Sequence, residues 1–254
     1  MRVTFLGTGT SHGVPMIGCT CATCTSPDPR DRRLRPSILI ETDDGTPVLV
    51  DTATDLRAQA LAFGVTRVDA ILFTHSHADH ILGLDDVRRF NALQGGAIPC
   101  WADARSTGDI RRAFWYIFDP AAPRAGGLPQ IDLRVVNGPV QVGGASFEPV
   151  PILHGPRSIL GWRIERFAYL TDCSAIPAES WPLLDGVDAV VLGALRDRPH
   201  PTHFTLAQAV DAARTIGVRR AWFTHMAHDL PHAATCARLP EGMALAYDGL
   251  VLDV

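Results

Sequence analysis

The chain has 254 residues, 46% hydrophobic and 20% charged, a balance that supports a large buried core. Its formal net charge of −4 gives no electrostatic drive toward nucleic acid or an anionic membrane. All 23 basic residues are arginine, which excludes a lysine nucleophile or Schiff base.

In chain order, the first strand is expected at Val3–Leu6, an apolar run that stops at Gly7. The run is too short for a signal-peptide core, and no apolar stretch approaches the roughly 20 residues of a membrane span. A cytoplasmic protein with no membrane partner is therefore expected. Strands follow at Ser37–Glu41, Pro47–Asp51 and Ala70–Thr74, with a helix at Asp55–Phe63 between the last two. A second helix is expected at Ser106–Tyr116. Pro120–Pro129 has three prolines and two glycines in ten residues and reads as a surface loop. Further strands are expected at Phe147–Pro151, Ile159–Ile164, Phe167–Thr171, Ala189–Leu192 and Ala221–Thr224. The helix Thr205–Ile216 places Leu206, Ala209, Val210 and Ala213 at helical spacing. Short strands mixed with helices predict a layered α/β fold. Candidate ligands lie on both sides of the proline-rich stretch, so one domain over residues 1–254 is expected.

The densest chemistry is His75-Ser76-His77-Ala78-Asp79-His80, directly after an apolar strand. His75 and His77, two apart in extended chain, face one side, and a turn can aim Asp79 and His80 elsewhere. Three histidines in six positions serve no packing purpose at the end of a buried strand. Imidazole suits Zn, Cu, Fe and Ni, whereas carboxylate suits harder ions such as Mn. His154, Asp172 and His225 each close a later apolar run, where a strand end can present a ligand.

The H-x-H-x-D-H pattern resembles the signature of the metallo-β-lactamase superfamily. Phe5-Leu6-Gly7-Thr8-Gly9-Thr10 is similar to that superfamily's first strand and glycine turn, and Val48–Thr52 to its strand ending in an aspartate. The resemblance covers nearly the whole chain. It implies a four-layer αβ/βα sandwich with metals at one sheet edge. It also implies that His75, His77 and His154 hold one ion, that Asp79, His80 and His225 hold a second, and that Asp172 bridges them. Two such ions, Zn or Mn, would acidify a shared water into hydroxide at neutral pH, with Asp79 counted among the catalytic residues.

Cys19-Thr20-Cys21-Ala22-Thr23-Cys24 is a C-x-C-x2-C cluster one ligand short of a tetrahedral zinc site, and His228 can close it. Free thiols on a loop are the alternative. This cysteine-rich insertion at about 15–36, with Ser11–Pro15 before it, resembles a narrower group. That group is the phosphodiesterases that open phosphoribosyl 1,2-cyclic phosphate in the carbon–phosphorus lyase pathway. The likeness implies a structural Zn on Cys19, Cys21, Cys24 and His228. Cys100, Cys173 and Cys236 read as small apolar residues.

His203, just before the last helix, matches the catalytic histidine of that group and of related tRNA-processing nucleases. It is the expected proton donor to the leaving alkoxide. His200, between two prolines, reads as a loop residue, His12 as a pocket or surface residue, and His232 as surface. The charged run Asp28–Arg35 reads as a solvated face or as a phosphate grip, with Arg157 a further candidate for that grip.

The expected activity is hydrolysis of a small phosphodiester, a cyclic ribose phosphate among the candidates. The rivals are a tRNA 3′-processing endonuclease and a lactone or thioester hydrolase on the same scaffold. The net charge and the lack of a long basic arm weigh against RNA. Oligomeric state is open, a homodimer included.

Overall fold

The computed structural model describes residues 1–122 and 127–254. Two seven-stranded sheets carry the fold. The first contains β1 (Arg2–Gly7), β2 (Ser37–Glu41), β3 (Pro47–Val50), β4 (Ala70–Leu72), β5 (Ile98–Ala102) and β6 (Ile131–Val135). The second contains β7 (Val140–Val142), β8 (Ala145–His154), β9 (Arg157–Ile164), β10 (Phe167–Leu170), β11 (Ala189–Gly193), β12 (Arg220–Thr224) and β13 (Met243–Leu245). The last strand, β14 (Val251–Asp253), returns to the edge of the first sheet beside β1. The helices are α1 (Leu56–Phe63), α2 (Ala78–Ile81), α3 (Arg88–Gln94), α4 (Ala104–Ala113), α5 (Trp115–Phe118), α6 (Leu206–Ile216) and α7 (His232–Cys236).

Strand alternation explains the layering. In β3 and β4, Val48, Val50, Ala70 and Leu72 face the second sheet, where they join Phe147, Trp162, Tyr169 and Val191. Leu49 and Ile71 face the other way, onto Leu56, Val87, Phe90 and Ile110 of the helical layer. The second sheet repeats the scheme: Trp222 packs between the sheets, while Ala221 and Phe223 meet Leu206, Ala209 and Ala213 of α6. Strands buried on both faces read as continuous apolar runs, which is why they were legible. The result is the four-layer sandwich, with β3 to β6 mutually parallel and β10 to β13 likewise.

The five strands without a sequence expectation are β5, β6, β7, β13 and β14. Four of these are the four sheet edges, which run for only three to five residues and give a weak signal. The helix expected at Ser106–Tyr116 begins at Ala104, where the Asp103 side chain caps the Ser106 N–H, and stops at Ala113. Phe114 leaves helical geometry and buries its ring beneath the first sheet, separating α4 from α5. The Pro120–Pro129 stretch lies partly outside the described residues, at 123–126. No described helix is long and apolar enough to cross a membrane.

Candidate metal centres

Parallel strands in both sheets deliver their C-terminal ends to one edge, and the polar residues collect there. His75 and His77 follow β4, Asp79 and His80 lie in the single turn of α2, and His154 ends β8. Asp172 and His225 follow β10 and β12, and Asp51 follows β3. These last three are in the left-handed region, with φ of 57°, 59° and 64°. A side chain there costs about 1–2 kcal/mol, a strain that Asp tolerates better than most. The bend turns each side chain off its strand axis and into the cleft. Gly193 makes room for this: a Cβ there would lie 2.7 Å from the Asp172 backbone nitrogen.

The structure brings together all seven residues singled out as catalytic ligands. Ligand atoms of His75, His77, His154 and Asp172 lie within 4.8 Å of one another, as do those of Asp79, His80 and His225. Asp172 joins the groups, its Oδ1 3.3 Å from His80 Nε2 and its Oδ2 3.2 Å from His225 Nε2. His203 stands over this junction, its ring stacked on His225 at 4.8 Å and its Nδ1 4.0 Å from Asp172 Oδ2.

Hydrogen bonds behind the cluster set the tautomers. His154 Nδ1 lies 2.9 Å from the Asp172 carbonyl and 2.8 Å from that of Thr202; carbonyls only accept, so Nδ1 carries the proton. His80 Nδ1 donates to Asp51 Oδ2 at 2.7 Å. The Thr74 hydroxyl also donates to that oxygen, and accepts from His75 Nδ1 at 3.1 Å. In its neutral form each of these rings therefore turns an unprotonated Nε2 inward. His75 Nε2 and His80 Nε2 are buried without a hydrogen-bond partner. Orphaned lone pairs beside a buried carboxylate fit cations, not a packed polar core. Asp51 and Thr74 had no assigned role in the sequence, although an apolar strand ending in aspartate was visible there.

Burial opposes charge on His80, yet Asp172, Asp79 and Asp51 outweigh it and hold the imidazole well above its ordinary range. Burial likewise opposes charge on Asp172, but His225, His80 and His75 hold its carboxyl well below the carboxylate range. Burial and the neighbouring His225 push His203 down to about 3, against the pull of Asp172. His203 is thus held neutral near pH 7.

A second cluster lies nearby. Cys19, Cys21 and Cys24 place their Sγ atoms 3.2, 3.3 and 3.5 Å from His228 Nδ1. One ring nitrogen cannot hydrogen-bond three thiols at once. The spacing does match the roughly 3.5 Å edge of a tetrahedron built from Zn–S and Zn–N bonds of about 2.3 and 2.0 Å. The Cys24 N–H lowers Cys21 to about 6, whereas burial pushes Cys24 up to about 11. His228 lies three residues after His225, so one short segment serves both clusters.

The charged run Asp28–Arg35 is neither a solvated face nor a phosphate grip throughout. Arg33 is fully buried, donating to the Ala227 and Leu230 carbonyls and pairing with Asp31. It thereby ties the cysteine insertion to the segment carrying His225 and His228. Arg30 pairs with Asp28, and Arg35 with Asp55. His232 is buried, contrary to the expectation of a surface residue, because its ring packs edge-on against Tyr247 at 5.6 Å. His12 is exposed, and His200 lies beside His203 with ring centroids 5.0 Å apart. Cys100 and Cys173 are buried and Cys236 is half-buried.

Residues 46–226 match the family model described as a beta-lactamase superfamily domain. A crystal structure described as a new diphosphatase from the PhnP family superposes with a TM-score of 0.92 at 47% identity, covering 100% of this chain and 97% of that one. An octanoyltransferase of Porphyromonas gingivalis is 39% identical over 256 residues, which cover 98% of this chain. The chain spans only 51% of that protein's length, so the transferase name describes a molecule about twice as long. A ribonuclease Z of Pyrobaculum neutrophilum is 25% identical over 246 residues, with 80% of this chain and 84% of that protein covered. The chain belongs to the beta-lactamase superfamily and, within it, to the PhnP family.

Proposed function

We propose that the protein hydrolyses a small phosphodiester, a cyclic ribose phosphate among the candidates, at a pair of divalent cations. The observation that carries this reading is the pair of His/Asp groups joined by the Asp172 carboxylate, with buried imidazole nitrogens left unpartnered between them. In this reading His75, His77 and His154 hold one ion, Asp79, His80 and His225 the other, and Asp172 bridges. Mixed imidazole and carboxylate donors accept Zn or Mn. When bound, such a pair acidifies a shared water and neutralises phosphate charge.

The chain's own groups do the rest. Asp51 and Thr74 fix the rings of His80 and His75. Asp79, buried beside His80 and His225, is the carboxylate placed to accept a proton from the attacking water. As the bond from phosphorus to the leaving oxygen breaks, His203 gives that oxygen its proton. A bound phosphodiester anion supplies the further negative charge that lets His203 hold a proton despite its burial. Cys19, Cys21, Cys24 and His228 hold a structural Zn.

A diphosphate-bridged substrate is the second reading, favoured by the description of the 47%-identical PhnP-family structure as a diphosphatase. The test is an activity panel on protein reconstituted with Zn or Mn. It compares bis-p-nitrophenyl phosphate, 2′,3′-cyclic nucleotides, phosphoribosyl 1,2-cyclic phosphate, a dinucleoside diphosphate, a tRNA precursor, a lactone and a thioester. Turnover confined to the lactone or thioester overturns the phosphodiester reading.

A further inference from the structure

His75 and His77 stand side by side, their ring centroids 4.5 Å apart. Ser76 between them must face the opposite side of the extended segment. Its hydroxyl donates to Asp109 Oδ2 at 2.6 Å and accepts from Arg157 Nη2 at 3.0 Å. The same Nη2 lies 2.9 Å from the hydroxyl of Ser106, which donates its own proton to Asp103 at 2.6 Å. Both serines have thus committed their single proton to a carboxylate, and each presents a lone pair to the guanidinium. Arg157 opens β9 directly across the turn from His154, with which it is paired in the β8–β9 register.

One half-buried guanidinium therefore joins three pieces of backbone: the turn that carries His154, the segment that carries His75 and His77, and the first turn of α4. Its contact with Ser76 lies behind the histidine rings rather than in front of them. Nη2 is thereby committed to the two serines, while Nε is buried without a hydrogen-bond partner among the described residues.

We infer that Arg157 is a positioning residue for the first cation: by holding Ser76 and Ser106 it sets the spacing between His154 and the His75–His77 pair. The inference rests on the reading that these histidines share an ion. An arginine in this place supplies two directed donors from one nitrogen while its planar head stays rigid. Partners behind the ligands typically change metal affinity by roughly 10- to 100-fold when lost.

The test is titration of the metal-free full chain with Co(II), which reports each site by its visible spectrum. The Cys19-Cys21-Cys24-His228 site gives a thiolate charge-transfer band and serves as an internal check of folding. Wild type, Arg157→Ala, Arg157→Lys, Ser76→Ala and the Arg157→Ala/Ser76→Ala pair are compared. Arg157→Ala is expected to weaken one of the two non-thiolate ions by about 10- to 100-fold, with the thiolate band unchanged and lysine restoring part of the loss. The double variant should lose less than the sum of the single losses, because both act through one contact. Should Arg157→Ala lose the thiolate band, Arg157→Lys and Ser76→Ala decide the matter by the same affinities. Wild-type affinity at every site, with a raised KM for the phosphodiester, overturns the inference and returns Arg157 to substrate binding. Failure of the wild type to take two ions besides the thiolate one overturns the two-cation reading itself.

Discussion

The two clusters differ in how they are built. The His/Asp cluster is buried apart from the exposed His77 and is assembled from the ends of β4, β8, β10 and β12, across both sheets. Its rings are oriented by Asp51, Thr74 and backbone carbonyls, and two of its members, Asp172 and His225, are in left-handed backbone geometry. The cysteine cluster takes three ligands from six consecutive residues and only His228 from afar, and Cys21 is exposed. The first is geometry imposed by a fold; the second is local spacing closed by one remote ligand. Arg33 and the 225–228 segment are where they meet.

That contrast can be broken at several points. The largest effect is expected from Asp172→Ala, because it removes the carboxylate that joins the two His/Asp groups. Turnover should fall to background and both catalytic ions should weaken, with the cysteine-bound zinc retained by metal analysis. Two catalytic ions together with near-normal turnover would sink the bridging assignment. His203→Ala should lower turnover by about 10²–10⁴-fold on substrates with poor leaving groups. The loss should shrink for p-nitrophenolate, which needs no proton, and the ion content should stay unchanged. An unaltered rate on a poor leaving group rules out the donor role.

Cys21→Ser probes the other region. It should cost one zinc per chain and lower the melting temperature by several degrees, while the protein still takes its two catalytic ions. A full zinc count in that variant would remove the tetrahedral reading. If the catalytic ions also weakened markedly, the 225–228 segment would be transmitting the loss, and the two regions would be less separate than their construction implies.

The smallest effect concerns Asp248, which joins the end of β1 to the end of the cysteine insertion. It accepts from the Thr8 hydroxyl and the Leu34 N–H, each at 2.7 Å, and burial raises it from 3.8 to about 7. Between those values the folded chain holds a proton that the unfolded chain releases. Stability therefore falls as pH rises from about 4 to about 7, and is level above that window. Asp248→Asn should flatten this slope in denaturant melts taken across the window. A slope identical to wild type would mean that the buried carboxyl is ionised throughout.

The legibility of each part follows the same contrast. The cysteine set could be read from one line of sequence because its spacing is its geometry, while His228 lies more than two hundred positions away, three residues after His225. The doubly buried strands were legible because both faces are apolar, whereas the edge strands β6, β7, β13 and β14 carry too few apolar residues. Arg33 looked like part of an exposed charged run. Its partners are backbone carbonyls of Ala227 and Leu230, almost two hundred positions away, and no local pattern encodes them. His232 was misplaced for a related reason, since its burial depends on Tyr247 arriving from the β13–β14 connection.

Sequence alone determined which residues carry ligand chemistry, because histidine, aspartate and cysteine at strand ends or tight spacing have few other uses. Their grouping was implied by the family resemblance, whereas the tertiary structure alone decided how they are oriented. Which nitrogen of each imidazole faces the cleft depends on acceptors supplied by Asp51, Thr74, Thr202 and the Asp172 backbone. Whether Arg157 meets substrate or scaffold depends on which side of an extended segment Ser76 occupies. Those choices are made by hydrogen bonds between remote parts of the chain, so they exist only once both sheets have closed on one another.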